Sequence, residues 1–183
     1  MASRKQTGQA YAETEPPLVL FLSRTNAASS ILAEGILRRL AQGRVRAASA
    51  GNTPAADVNP YALECLAAHH IATTGLRSKP WGEYFGLFKP PVRVLITLAD
   101  PDSYAAKSSW NHDTVRTVRA HWPTADPGAV TGSEVRIRLA FEETFTELEA
   151  RIRRFLALPL DRLSGPALVQ ELTQIGQVRG NMT

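Results

Sequence analysis

Leu18 to Leu22 is an unbroken apolar run, and a short turn later the chain reads as a helix. Ile31, Leu32, Gly35, Ile36 and Leu40 recur at helical spacing, and Gly43 ends the pattern. A strand with no polar alternation must be covered on both faces, the condition of a central strand in a parallel sheet. A helix directly after it is the crossover that such a sheet requires. This strand–turn–helix unit constrains the fold more than any other part of the chain.

The rest of the sequence continues the alternation. Val45 to Ala50 reads as a second strand closed by Gly51. Asn59 and Pro60 open a helix, as N-cap and first-turn residue, with Leu63, Leu66, Ala67 and Ile71 on its apolar side. Trp81 to Phe88 reads as a short helix or loop rich in aromatics. Val92 to Leu98 is a clear strand and Val115 to His121 a further one. Glu134 to Leu158 is a long amphipathic helix carrying Ile137, Phe141, Phe145, Leu148, Ile152 and Phe155, stopped by Pro159. A last short helix spans about Pro166 to Ile175.

Strands alternating with helices predict an α/β fold, a three-layer doubly wound sandwich around a four-stranded parallel sheet. Residues 1–16 are expected to form a flexible lead-in, 17–158 the domain, and 159–183 a C-terminal extension with a short helix. A chain of 183 residues suits one such core.

Ligands of doubly wound sheets sit at the carboxyl ends of strands, near the switch in strand order. Here that place is the turn Ser23-Arg24-Thr25-Asn26-Ala27-Ala28-Ser29-Ser30. Backbone N–H groups of a turn leading into a helix N-terminus can face an oxyanion. Ala27 and Ala28 are small enough for close approach, and Ser29 or Ser30 is expected to cap the helix. Arg24 is the one cation in the turn and could turn towards an anion, although the ordinary fate of such an arginine is a solvated surface position.

Other classes find little support. The formal net charge is +4, with arginines spread along the chain in no dense basic stripe, so no nucleic-acid partner is expected. No apolar run approaches the ~20 residues of a membrane span. The first residues lack the apolar block of a secretory signal, and a cytoplasmic location is expected. One cysteine, Cys65, permits neither an internal disulfide nor a cysteine-rich metal site, and it reads as a small core residue. His69 and His70 point in different directions on a helix, and His112 and His121 are distant in sequence. No metal and no cofactor is expected. Arg136, Arg138, Arg151, Arg153 and Arg154 read as a solvated helix face. Trp81, Tyr84, Phe85 and Phe88 read as either core or a partner surface.

Beyond these local readings, the chain resembles the low-molecular-weight protein tyrosine phosphatase superfamily, and within it the thioredoxin-coupled arsenate reductases of bacteria. The segments AEGILRRL, SAGNTPAADVNPYALECLAAHHI, GLRSKPWGEY, LITLAD, HWPTADPGAVTGSE and RIRRFLALPLDRLSGPALVQEL look like family segments in family order, from Pro17 to Gly176. The resemblance implies that the turn is the family's phosphate-binding loop and that Asp126, before Pro127, stands where the family has its general acid.

The departures fall on the chemistry. Ser23 stands at the position of the nucleophilic cysteine, Ser29 at that of the arginine and Thr25 at that of a loop glycine, while Asn26 and Ser30 match the family. The reductases' two shuttle cysteines would fall at Ala99 and within Tyr104 to Trp110, where there is none. A serine stays a neutral alcohol unless a base takes its proton, and without arginine the planar clamp on the oxyanion is gone. Joint loss of several members of one catalytic unit is not the mark of a single engineered exchange. The sequence therefore predicts a catalytically impaired relative that binds phosphate, sulfate or arsenate weakly through Ser23 to Ser30, or that serves as a protein-docking module or homodimer. The alternative is an active arsenate reductase or phosphatase with an atypical loop.

Overall fold

The computed structural model describes residues 15–85, 89, 91–98 and 117–178. Its strands are β1 (Leu18–Ser23), β2 (Arg46–Gly51), β3 (Val92–Thr97) and β4 (Val118–His121). Its α-helices are α1 (Ser29–Ala41), α2 (Pro60–Ala68), α3 (Glu134–Leu156) and α4 (Gly165–Gly176). Short 3-10 turns occupy Trp81–Tyr84 and Pro127–Ala129. Several positions weighed in the sequence lie outside the described residues: the lead-in through Thr14, Phe88, Ala99, Tyr104 to Trp110, His112 and Val115.

The four strands form one parallel sheet in the order β2-β1-β3-β4. This is the α/β architecture with a four-stranded parallel sheet that the sequence predicts. Every residue of β1 is buried, which explains its unbroken apolar run. The sheet splits the core. Val19 and Phe21 face the helices, together with Ile31, Leu32, Phe141, Phe145 and Trp122. Leu18, Leu20 and Leu22 face the other way, against Ala48, Val92 and Leu95, and Trp81, Tyr84 and Phe85 pack there. Those three aromatics are thus core neighbours, half-buried on the second face of the sheet.

Helix ends follow their local chemistry. In α2, Asn59 Oδ1 accepts the N–H of Tyr61 at 3.0 Å and Pro60 takes the first position. Ala67, expected on the apolar side, is exposed; Ala62 and Cys65 are buried with Leu66 instead. At the end of α1, Gln42 and Gly43 both adopt left-handed backbone, with φ of 48° and 83°. Ser133 caps α3, accepting the N–H of Arg136 at 3.3 Å.

One helix-face expectation is corrected. Arg151 is not solvated. Its guanidinium is buried and donates to Val178 O at 2.9 Å, Pro123 O at 2.9 Å and Thr124 Oγ1 at 3.0 Å, with Glu147 as counter-ion. Five planar donors suit it to gather loop carbonyls that no backbone partner reaches. It fixes the segment leading to Asp126 and the residues just after α4.

Helix α4 belongs to the same core. Leu168, Leu172 and Ile175 are buried in it, and Trp122 Nε1 donates to Leu172 O at 2.9 Å. None of the described helices is long and apolar enough to cross a membrane.

Candidate functional site

β1 and β3 are neighbours, while β2 lies on the far side of β1. The chain therefore reverses its winding direction between β1 and β3, and the turn Ser23 to Ser30 emerges at that switch point. Leu98 N–H donates to Leu22 O at 2.8 Å, holding the end of β3 beside the start of the turn.

The outer rim of the turn is fixed by its own carbonyls. Ser23 O accepts from Asn52 N at 3.3 Å, Arg24 O from Thr53 N at 2.9 Å, Thr25 O from Ala55 N at 2.8 Å and Ala27 O from Asn59 N at 2.9 Å. In a trans peptide C=O and N–H point in opposite directions. The N–H groups of Arg24, Thr25, Asn26 and Ala28 consequently point away from the 52–59 segment, and that of Asn26 is taken by Ser23 Oγ. α1 begins there without a side-chain cap, because its N-cap residue, Ala28, has no hydroxyl to offer. The first N–H groups of the helix have no intrahelical acceptor.

The expected capping by Ser29 or Ser30 is therefore corrected. Both serines are buried within the first turn of α1, and Ser30 turns its hydroxyl inward. Ser30 Oγ lies 2.8 Å from Ser23 Oγ and accepts from Asn26 Nδ2 at 2.9 Å. Ser29 and Ser30 fall inside the helix, one and two positions past the capping residue Ala28, and the Ser30 hydroxyl is used across the turn instead.

Asn26 organises the interior. Its φ of 50° is left-handed, a region that asparagine tolerates better than most residues. It is fully buried, and every polar group of its side chain has a partner: Nδ2 donates to Ser30 Oγ and to Ser49 Oγ at 2.8 Å, and Oδ1 accepts Lys79 N–H at 2.9 Å. Its own N–H donates to Ser23 Oγ at 3.0 Å. Gly51 makes this possible. A Cβ there would stand 3.0 Å from both Arg24 O and Asn26 Cβ.

Behind Asn26 lies a buried ionic group that sequence reading missed. Glu34 sits in α1 with no exposure at all. Its carboxylate accepts from Ser49 Oγ, pairs with Lys79 Nζ at 3.1 Å and meets Arg38 one helical turn on. Lys79 Nζ also donates to Arg77 O at 3.0 Å. Burial lowers the Lys79 ammonium below its ordinary range, and the Glu34 carboxylate works against that shift. The only signal in the sequence was a glutamate set among the apolar positions of α1.

The expected catalytic positions take their places around this group. The partners of Ser23 Oγ among the described residues are Ser30 Oγ and Asn26 N–H; neither is a base. Arg24 is exposed. Lys79 is committed to Glu34. Asp126 is exposed and caps the short turn after it, its Oδ1 accepting Gly128 N–H at 3.0 Å. That turn lies against the first one: a Cβ on Gly128 would stand 3.4 Å from Ala28 Cβ. The fold thus brings the Asp126 segment beside Ser23 to Ser30. Cys65 belongs elsewhere, buried on α2, where desolvation first and Glu142 second push its thiol up to about 12.

The sequence model described as low molecular weight phosphotyrosine protein phosphatase matches residues 18–165. The chain belongs to this family. Among curated proteins, none matches the chain significantly. Solved structures of similar fold include a Corynebacterium glutamicum thioredoxin-dependent arsenate reductase, 21% identical with a TM-score of 0.57, covering 79% of this chain and 62% of that one. The chain thus spans less than two thirds of that protein's length. An arsenate reductase in the phosphate binding state is 20% identical with a TM-score of 0.59, covering 77% and 97%. A Cys-to-Ser mutant of the YwlE arginine phosphatase with a phosphorylated active site serine is 20% identical with a TM-score of 0.60, covering 76% and 93%. At such identities the likeness to these structures is one of fold. Among the described residues, the Asp126 segment meets the turn after β1 where Gly128 comes against Ala28.

Proposed function

We propose that this chain is a family member without the family's thiol chemistry, holding an oxyanion weakly at Ser23 to Ser30 as a binding or docking module. The observation that carries this reading is the arrangement of the turn. Its carbonyls are tied to the 52–59 segment, the N–H groups of Arg24, Thr25 and Ala28 point the other way beside the uncapped start of α1, and the hydroxyl at the nucleophile's place has only Ser30 and the Asn26 N–H as partners among the described residues. Backbone donors suit phosphate, sulfate or arsenate. Affinity is modest, because charge-assisted contacts are the strong ones, Ser29 carries no charge and the Lys79 ammonium is already paired with Glu34.

Titration calorimetry with the three anions tests the binding. Heat at millimolar concentration that is lost in Gly51→Ala supports the site, and no heat at that level removes it. Hydrolysis of a phosphomonoester, with Ser23→Ala as control, tests the enzymatic alternative. Turnover that vanishes with Ser23 would establish a serine-based phosphatase.

A second reading draws on the phosphorylated active site serine of the YwlE mutant. Ser23 would accept a phosphoryl group from a phosphomonoester: the Oγ–P bond forms, the ester O–P bond breaks, and the serine proton leaves with the alcohol. Among the described residues no base is hydrogen-bonded to Ser23 Oγ, and on this reading the product persists as phosphoserine. Intact-mass measurement after incubation with a phosphomonoester separates this from simple binding.

A further inference from the structure

On the side of α2 that meets α3, the fold gathers three side chains of metal-ligating type. Cys65 and His69 are one helical turn apart, and Glu142 comes from the facing helix. Their ligand atoms, the Cys65 sulfur, a His69 ring nitrogen and a Glu142 carboxylate oxygen, all lie within 4.8 Å of one another. His69 Nε2 and Glu142 Oε2 are 2.7 Å apart. The imidazole is held flat on Phe145, with centroids 3.7 Å apart and planes 10° from parallel. A cleft of about 280 Å³ opens beside them, bordered by Tyr61, Glu64, Cys65, Arg138 and Glu142.

We infer that Cys65, His69 and Glu142 bind a divalent transition-metal ion of borderline softness, zinc or cobalt, with water from the cleft completing a tetrahedron. Thiolate, imidazole and carboxylate are the three donor types that zinc uses. Bonds of ~2.0–2.3 Å hold neighbouring tetrahedral ligands roughly 3.3–3.6 Å apart. The His69–Glu142 separation of 2.7 Å lies below that range and the 4.8 Å bound on the set lies above it, so binding requires the three side chains to readjust, with Cys65 Sγ giving up its contact to Phe141 O at 3.8 Å. The charges also balance: the metal displaces the Cys65 proton to solvent, and thiolate plus carboxylate neutralise the dication. No electron moves. Glu64 and Arg138, the other charged groups at the cleft, are tied to each other at 3.2 Å, which keeps the guanidinium partly neutralised.

Reading the sequence by its histidines missed this place, because it compared His69 with His70 and took Cys65 as core alone. The constellation exists only through the packing of α3 on α2. It is separate from the turn at Ser23 to Ser30 and stands whether or not that turn binds an anion. A bound ion would join α2 to α3.

Cobalt titration of the metal-stripped full chain tests the inference. The expected result is a one-to-one rise of tetrahedral cobalt bands with a thiolate-to-cobalt charge-transfer band, bleached by added zinc. His69→Ala and Glu142→Gln, both at part-exposed positions, are expected to weaken binding by about tenfold or more while leaving the circular dichroism unchanged. Cys65→Ser is expected to abolish the charge-transfer band. A wild-type chain that gives only the weak octahedral spectrum of aqueous cobalt overturns the inference, as does a thiolate band unaffected by His69→Ala and Glu142→Gln.

Discussion

Ser23 Oγ and Ser30 Oγ lie 2.8 Å apart across the first turn, each serving as the other's partner within one hydrogen-bonded set. Ser23→Ala leaves Ser30 without that contact and strips the buried Asn26 N–H of its acceptor. A buried polar group left unsatisfied costs about 1–3 kcal/mol. Urea denaturation is expected to show a loss in that range, with an unchanged slope.

Restoring the two departed groups together makes a sharper test of what the turn retains. Ser23→Cys with Ser29→Arg returns a thiol beside the N–H groups that point away from the 52–59 segment and a guanidinium to lower its pKa. The double variant is expected to hydrolyse phosphomonoesters, and each single variant to lag it by about 10²-fold or more, since members of one catalytic unit act non-additively. Initial-rate assays on the three proteins read this directly.

The Glu34–Lys79 pair predicts an asymmetry. Removing one partner of a buried ion pair costs about 3–5 kcal/mol, whereas replacing both with apolar groups is often near neutral. Lys79→Met is therefore expected to unfold at much lower denaturant than wild type. Lys79→Met combined with Glu34→Met is expected to recover a large part of that loss, although Ser49 and Arg38 lose a partner too.

At Gly51 the constraint is steric. A methyl there meets backbone atoms of Arg24 and Asn26, which cannot rotate away as a side-chain tip would. Overpacking of this kind costs about 1–3 kcal/mol. Gly51→Ala is expected to lose stability in that range and to shift the Asn26 amide resonance, measured by thermal denaturation and NMR.

Alkaline pH acts through Cys65 and Tyr84. Burial pushes both up to about 12, from ordinary values of 9.0 and 10.0. Between those values and about 12 the unfolded chain has lost protons that the folded one keeps, so stability falls as pH rises. Lys79, lowered from 10.5 by burial, has the opposite sign, but only below 10.5. The melting temperature is thus expected to drop between about pH 10.5 and 12, and Cys65→Ser to reduce the slope.

The sheet was legible because β1 carries its burial in its composition: six residues with no polar alternation until Ser23. The start of α2 was legible because Asn59-Pro60 is a local signal, complete within three residues. What escaped reading depends on residues far apart in the chain. Glu34 looks like a surface glutamate until Lys79, 45 positions later, is brought to it. Arg151 joins a solvated stripe until Pro123 and Val178 present their carbonyls. Ser29 and Ser30 read as caps because capping is the local use of a helix-start serine; the helix instead starts one residue earlier than that use requires, with Ala28 at the cap. The turn itself was placed correctly by the order of elements, while its internal wiring was a property of the packed fold.

The packing of α4 against the end of β4 has a consequence for where this molecule can be cut. The match to the family stops at residue 165, where α4 begins. Yet a Cβ at Gly176 would stand 2.6 Å from His121 O, and the indole of Trp122 is fully enclosed with its N–H on Leu172. Trimming the protein at residue 165 would remove α4 from beside β4 and expose the Trp122 indole, an apolar surface that favours self-association. The stretch matched by the family model is thus shorter than the stretch around which the core of this chain is packed.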